Sequence, residues 1–363
     1  MATPINTSSN IRTKRNPILP GDVMEPSNKA FRIRKKLRWD DEGVASTVGT
    51  IMALMVVLTF MSMIINQYVP VWMKDAESAH MNEVYGQFGT LKGSIDLQVL
   101  SCVVMQQMNA PCMKSSGFSP IEIGIDGVPI FSAPTVGELA AHRDDGEFSV
   151  NFSYLHDVGG SNGTFYVNRN SSGNLVLEAR NRYYVQQTLI YEGGAVIRHQ
   201  RDGELVKGEP SFMVTKAGDY VEIWITLVTL YGEGSVGGIG TQGVHHDLIG
   251  ASHDVYTDIN SDITIVHWTQ YDKAWYDFFN ETLSRAYGVT EEDYENNSPP
   301  EWDWYDTGLQ EKATNPYFIV KRTVYDNYSI VEVTIESDDI EIGQLTLVSA
   351  YFDVIVGETS SRI

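Results

Sequence analysis

Thirty consecutive residues, Val44 to Met73 (VASTVGTIMALMVVLTFMSMIINQYVPVWM), carry no charged side chain. As a helix rising about 1.5 Å per residue, this stretch is long enough to cross the roughly 30 Å hydrocarbon core of a bilayer. A chain holding such a segment near its N-terminus must place it in lipid or bury it in an assembly. Basic residues crowd its N-terminal side, from Lys29 to Arg38. Positive charge beside a first membrane helix keeps that end in the cytoplasm, so the expected topology is a single pass with a cytoplasmic N-terminus and a large extracellular domain. A cleaved secretory signal has an apolar core of only about 7–15 residues and a small-residue exit. Asn66, Gln67 and Pro70 do not make such an exit, and a retained helix is expected.

Charge divides the chain in the same way. Residues 1 to 43 hold nine Lys/Arg and five Asp/Glu, whereas the remainder holds 17 basic and 42 acidic residues of the totals 26 and 47. A surface that acidic repels phosphates, so nucleic acid is not an expected partner. Residues 1 to about 28 are rich in Pro, Ser and Asn without hydrophobic periodicity and read as a disordered tail. The leader is therefore placed at 1–43 and the membrane segment at 44–73.

Beyond Pro70, weakly apolar residues at Ala76, Ala79, Met81, Val84, Phe88 and Leu91 fall on one helical face at spacings of about three to four, which extends an amphipathic helix to residue 92. Pro70 is expected to kink this rod without ending it. From 93 to 363 the texture is that of short Val/Ile/Tyr/Phe/Thr runs punctuated by turns such as Asp126-Gly127, Asn162-Gly163 and Asp202-Gly203. The expected fold is α+β and mainly β: a long N-terminal transmembrane helix followed by a large β-sandwich-like extracellular domain. Gly232 to Gly243 reads as a mobile loop, and Asn296 to Trp304 as an exposed acidic and aromatic loop. A short helical insertion is expected at about 271–295, with Trp275, Phe278, Phe279 and Leu283 on one side.

The junction Lys35-Lys36-Leu37-Arg38 through Asp41-Glu42-Gly43-Val44-Ala45-Ser46 resembles the class III signal peptide of archaeal type IV pilin-like proteins. The resemblance implies that a membrane prepilin peptidase cuts between Gly43 and Val44, leaving the helix attached to the mature protein. Arg182-Tyr183-Tyr184, Tyr191-Glu192-Gly193-Gly194, Ile223 to Leu230 and Ala274-Trp275 with Phe278-Phe279 are similar to an uncharacterised archaeal pilin-like family with a β-rich extracellular domain. No activity comes with that likeness. The partners it implies are the lipid bilayer, the prepilin peptidase and other pilin-like subunits.

Candidate sites are few. Cys102 and Cys112 can bridge across a hairpin in an oxidising compartment or remain buried thiols. Asp258-x-Asn260-x-Asp262 mimics the opening of a calcium loop, but Ile263 and Thr269 stand where an EF-hand needs Gly and Glu, so an acidic turn competes with calcium. His245-His246-Asp247 with His253 offers metal-type ligands without a specific spacing. Trp302-Asp303-Trp304-Tyr305 offers aromatic faces to a sugar or protein, or else packs over the Trp275 helix. Sequons stand at Asn151, Asn162, Asn170, Asn280, Asn296 and Asn327. No nucleophile elbow or phosphate loop occurs, and no cofactor is expected. The expected function is a pilin-like structural or adhesive surface protein, not an enzyme. A large head favours a minor or tip subunit or a monomeric anchor, and Ala45, Ser46, Gly49 and Ala53 permit close helix approach. The alternative is a membrane-tethered ectoenzyme or a carbohydrate- or calcium-binding protein.

Overall fold

The computed structural model describes residues 41–128, 131–157, 159–160, 162–218, 220–290, 293, 301–305, 308–326, 328–337 and 341–357. The chain divides into two compact units, Met1–Leu58 and Thr59–Ile363. The basic cluster and tail of the leader lie outside the described residues.

Helix α1 spans Asp41–Met63, and every residue from Ser46 to Met63 is exposed. Its apolar residues have no polar face opposite them, the pattern of a helix meant for an apolar surrounding. Pro70 has no N–H to donate to the preceding turn. The chain absorbs this with one π-helical turn, Ile64–Tyr68, in which the Val69 N–H reaches back to the Ile64 carbonyl. Asn66 helps by donating its Nδ2 to the Ser62 carbonyl at 2.7 Å.

Helix α2, Val69–Gln107, continues well past residue 92, where the amphipathic pattern had been expected to stop. Met81, Val84, Phe88, Leu91, Ile95, Val99, Cys102 and Val103 form one unbroken buried stripe, so Gly93 is tolerated inside the helix. Asn109 (φ 57°) ends it in a Schellman motif: Ala110 N–H to Met105 O at 2.8 Å and Asn109 N–H to Gln106 O at 2.9 Å. Cys102 and Cys112 are joined by a disulfide that ties the last helical turns to the segment behind them, in place of a hairpin.

Strand accounts for 51% of the described residues, arranged in three sheets, one more than a two-sheet sandwich. The five-stranded sheet runs β1 (Ser115–Gly124), β12 (Gly240–Tyr256), β18 (Glu341–Val356), β10 (Tyr220–Tyr231), β9 (Phe212–Ala217). The six-stranded sheet runs β11 (Gly234–Gly238), β2 (Gly137–His142), β5 (Asn174–Ala179), β6 (Gln187–Glu192), β7 (Ala195–Gln200), β8 (Gly203–Gly208). The seven-stranded sheet runs β14 (Glu301–Tyr305), β15 (Gly308–Thr314), β16 (Phe318–Val324), β17 (Ser329–Ile335), β13 (Ile263–Thr269), β3 (Glu147–Asp157), β4 (Asn162–Ser171).

Two hydrophobic cores share the parallel pair β10 and β18 as a wall. On β10, Val221, Ile223, Ile225 and Leu227 face one core, while Val228 and Leu230 face the other. On β18, Leu345 and Leu347 alternate with Val348, Ala350 and Phe352 in the same way. A bulge at Gly343 shifts parity so that Ile342 joins Leu345 on one side. The first core is closed by β3, β13, β16, β17 and helix α3 (Asp272–Tyr287), whose Trp275, Phe278, Phe279 and Leu283 are all buried. The second is closed by α2, β1, β2, β5 and β12.

Two expected loops are strands. Gly234–Gly238 and the start of β12 pair with β2 and β1. The glycines serve close approach: Gly238 (φ 147°) and Gly240 (φ 80°) adopt backbone angles open to glycine, and a Cβ at Gly124 would lie 2.8 Å from the Gly238 carbonyl. Glu301–Tyr305, expected in a loop, pairs antiparallel with β15.

Gly117 on β1 provides a sharp steric test. A Cβ there would fall on the ring of buried His246, which accepts a hydrogen bond from Gln98 Nε2 (3.0 Å) and donates one to Ser119 Oγ (3.2 Å). Gly117→Ala is expected to destabilise the fold by about 2–4 kcal/mol in denaturant unfolding. Gly203→Ala, which meets open space, is expected to stay within about 0.5 kcal/mol.

Candidate functional site

Helix α2 is fastened to the β-rich unit by a row of buried polar contacts, and Glu77 is the strongest of them. Its carboxylate is fully buried. Oε1 accepts from Thr135 Oγ1 (2.6 Å) and the Arg182 N–H (3.0 Å); Oε2 accepts from the N–H groups of Tyr183 (2.8 Å) and Tyr184 (2.6 Å). Three successive backbone N–H groups make an anion nest. This use of Arg182-Tyr183-Tyr184 holds them in a bend ahead of β6, which starts at Gln187. Burial pushes the Glu77 carboxyl up, but the four hydrogen bonds outweigh it and hold it below the ordinary carboxylate range. One turn on, His80 Nε2 donates to the Glu122 carbonyl at 3.0 Å, and Gln87 Oε1 accepts the Glu122 N–H at 2.7 Å. Gln106 closes the row on the Ala251 carbonyl at 2.7 Å.

A second carboxylate, Glu192, organises the first core's edge. Its Oε1 accepts from His267 Nε2 (3.0 Å), Thr269 Oγ1 (2.6 Å) and Trp275 Nε1 (3.1 Å), and its Oε2 accepts from Asn174 Nδ2 (3.0 Å). The other ring nitrogen of His267 faces the Glu147 carbonyl at 3.0 Å. Burial pushes the Glu192 carboxyl up, and the His267 hydrogen bond and charge, helped by Thr269 and Asn174, bring it below its ordinary value. His267 and Glu192 are both inaccessible, at 0% and 1% exposure, so this pair holds elements together and does not meet substrate. Nearby, Arg322 bridges Asp272 (2.9 Å) and Glu311 (2.8 Å), all three buried. Burial pushes the Asp272 carboxyl up despite Arg322.

The residues singled out from sequence are not brought together. Asp258 takes φ 54°, Asn260 Oδ1 accepts from Ser153 Oγ (2.9 Å), and Asp262 Oδ1 accepts from the Ser337 N–H (2.9 Å). The calcium-like turn instead pins β3 and the chain after β17, and no group of three His, Cys, Asp or Glu able to hold a metal occurs among the described residues. Alternation along β12 puts His245, packed on Phe118, on the face opposite buried His246, and the bulge at Ile249 returns His253 to the face of His246 but farther along the strand, where it packs on Trp224. Trp302 to Tyr305 form β14. Among the sequons, Asn170 is exposed, Asn151 and Asn280 are half-buried, and Asn162 begins β4. Asn296 and Asn327 lie outside the described residues. Asp41, Glu42, Gly43 and Val44 form the first turn of α1.

Among the described residues, a groove of about 590 Å³ lined largely by polar residues lies at the end of β5, β6 and β7. Its residues come from three strands and share no linear pattern, so no motif in the sequence announces it.

Residues 161–301 match a family of unknown function, DUF7289, a span that runs from β4 to the start of β14 and contains both the groove and Glu192. No curated protein and no solved structure matches the chain.

Glu192 generates a pH-dependent outcome. A carboxyl held below its unfolded value of about 4.3 stabilises the fold fully above that value and loses the effect as pH falls through the folded one. Glu192→Gln is expected to cost about 3–5 kcal/mol at pH 7, because it leaves His267 without its counter-charge. In unfolding titrations the gap between the two proteins is expected to narrow as pH drops below about 4.

Proposed function

We propose that this chain is a pilin-like cell-surface protein of structural or adhesive role, processed between Gly43 and Val44 and held by its N-terminal helix. The observation that carries the reading is the helix itself. It is charge-free and exposed over Ser46–Met63, and the helical path from Ser46 to Gln107 then buries a stripe in the second core. That combination suits a segment that serves lipid or neighbouring helices at one end and its own β-rich unit at the other. The basic cluster from Lys29 to Arg38 supports a cytoplasmic N-terminus, with the acidic β-rich unit outside. The buried contacts of Glu77, His80 and Gln106 support a helix fastened along its length. Sequons on the β-rich unit support surface glycosylation, with exposed Asn170 the foremost acceptor.

Mass spectrometry of the protein extracted from membranes is expected to find Val44 as the N-terminal residue. Gly43→Phe is expected to accumulate the uncut precursor in the membrane fraction, because the helix is retained either way. A wild-type chain that still begins at Met1 would overturn the processing step. Electron microscopy of cells labelled on the β-rich unit then separates filaments from an even surface coat.

A further inference from the structure

The groove at the end of the six-stranded sheet has a lining chemistry that selects among ligands. Register places two cross-strand rows there: Glu178, Thr188 and His199 on one face, and Ala179, Gln187 and Gln200 on the other. Arg180, Gln186 and Arg201 complete the wall. Ala179 is the lone aliphatic side chain, which disfavours an apolar ligand. Charges are balanced at short range. Arg180 faces Glu138 at 3.3 Å and His199 holds Glu204 at 2.9 Å, leaving exposed Arg201 and exposed Glu178 as one donor and one acceptor without partners among the described residues. An anion would gain Arg201 but meet Glu178, Glu138 and Glu204 nearby, and a metal cation would meet two guanidinium groups. A neutral ligand whose groups both donate and accept matches this lining.

We propose that this groove binds a neutral oligosaccharide. Adjacent sugar hydroxyls can accept from the Arg201 guanidinium and donate to the Glu178 carboxylate. The side-chain amides of exposed Gln186 and half-buried Gln200 donate and accept as hydroxyls require, and buried Gln187 backs the wall behind them. Gln200 Nε2 donates to Gln187 Oε1 at 2.9 Å, which fixes two of these amides before any ligand arrives. The volume of about 590 Å³ lies within the range of small-ligand sites, about 300–1,000 Å³, and an open groove lets a chain enter with its ends in solvent. The inference does not depend on how the N-terminal helix is processed or assembled.

The test uses the full chain in lipid nanodiscs, because glycoside detergents would compete. Maltohexaose, cellohexaose, mannohexaose and chitohexaose are titrated by calorimetry or ligand-observed NMR, with tetragalacturonate as the anionic comparison. At least one neutral hexasaccharide is expected to bind with a Kd of about 1 mM or tighter. Arg201→Ala and Glu178→Gln, both at exposed positions, are each expected to weaken it about tenfold while leaving the melting temperature unchanged. Three results would overturn the proposal: no neutral sugar binding up to about 10 mM, binding by tetragalacturonate alone, or neutral-sugar binding that both variants leave intact.

Discussion

The parallel pairing of β10 with β18 is the constraint on which the rest of the β-rich unit depends. Over residues 227–230 of β10 and 345–350 of β18 every side chain is buried, and the two faces of the pair look onto different cores. A parallel pair in this position needs covering on each side, because neither face can be left to water. One side is covered by α3 and the seven-stranded sheet, the other by α2 and the strands β2, β5 and β6 of the six-stranded sheet. A one-residue slip of β18 would exchange every side chain between the cores, so the register is strongly specified.

Polar groups then decide how the covering elements are oriented. Apolar contact alone would let α2 slide or rotate on its sheet, since the hydrophobic effect is non-directional. Glu77 in its nest of three N–H groups, His80 and Gln87 on Glu122, and Gln106 on Ala251 give it one axial position. Glu192 does the same for α3 through Trp275, and for β13 through His267 and Thr269. Each of these carboxylates is buried and hydrogen-bonded on both oxygens, the condition under which a buried charge specifies structure without leaving an unpaired group.

Particular residues show what could be read in advance. The apolar run at 44–73 and the Trp275–Phe278–Phe279–Leu283 stripe are local patterns, and helical periodicity made them legible. The end of α2 was not, because Gly93 resembles a breaker and the β-branched residues after it resemble a strand. What keeps 94–107 helical is burial of Ile95, Val99, Cys102 and Val103 in the second core. The glycine-rich segment at 232–243 misled for a related reason: its glycines fit close strand contacts, which only the partner strands reveal. The histidines at 245, 246 and 253 look like one cluster, yet alternation puts His245 on the face opposite His246, and the length of β12 separates His253 from both.

The sequence by itself determined that one charge-free helix precedes an acidic, mainly β chain, because hydropathy, length and charge act locally and need no partner. Tertiary structure alone decided that Glu77 and Glu192 are buried hubs, that Asp258, Asn260 and Asp262 serve as a structural turn, and that Glu178, Gln187, Gln200 and Arg201 share one groove. Those roles arise from residues far apart in the chain, and strand register and core packing are what bring them within hydrogen-bonding reach.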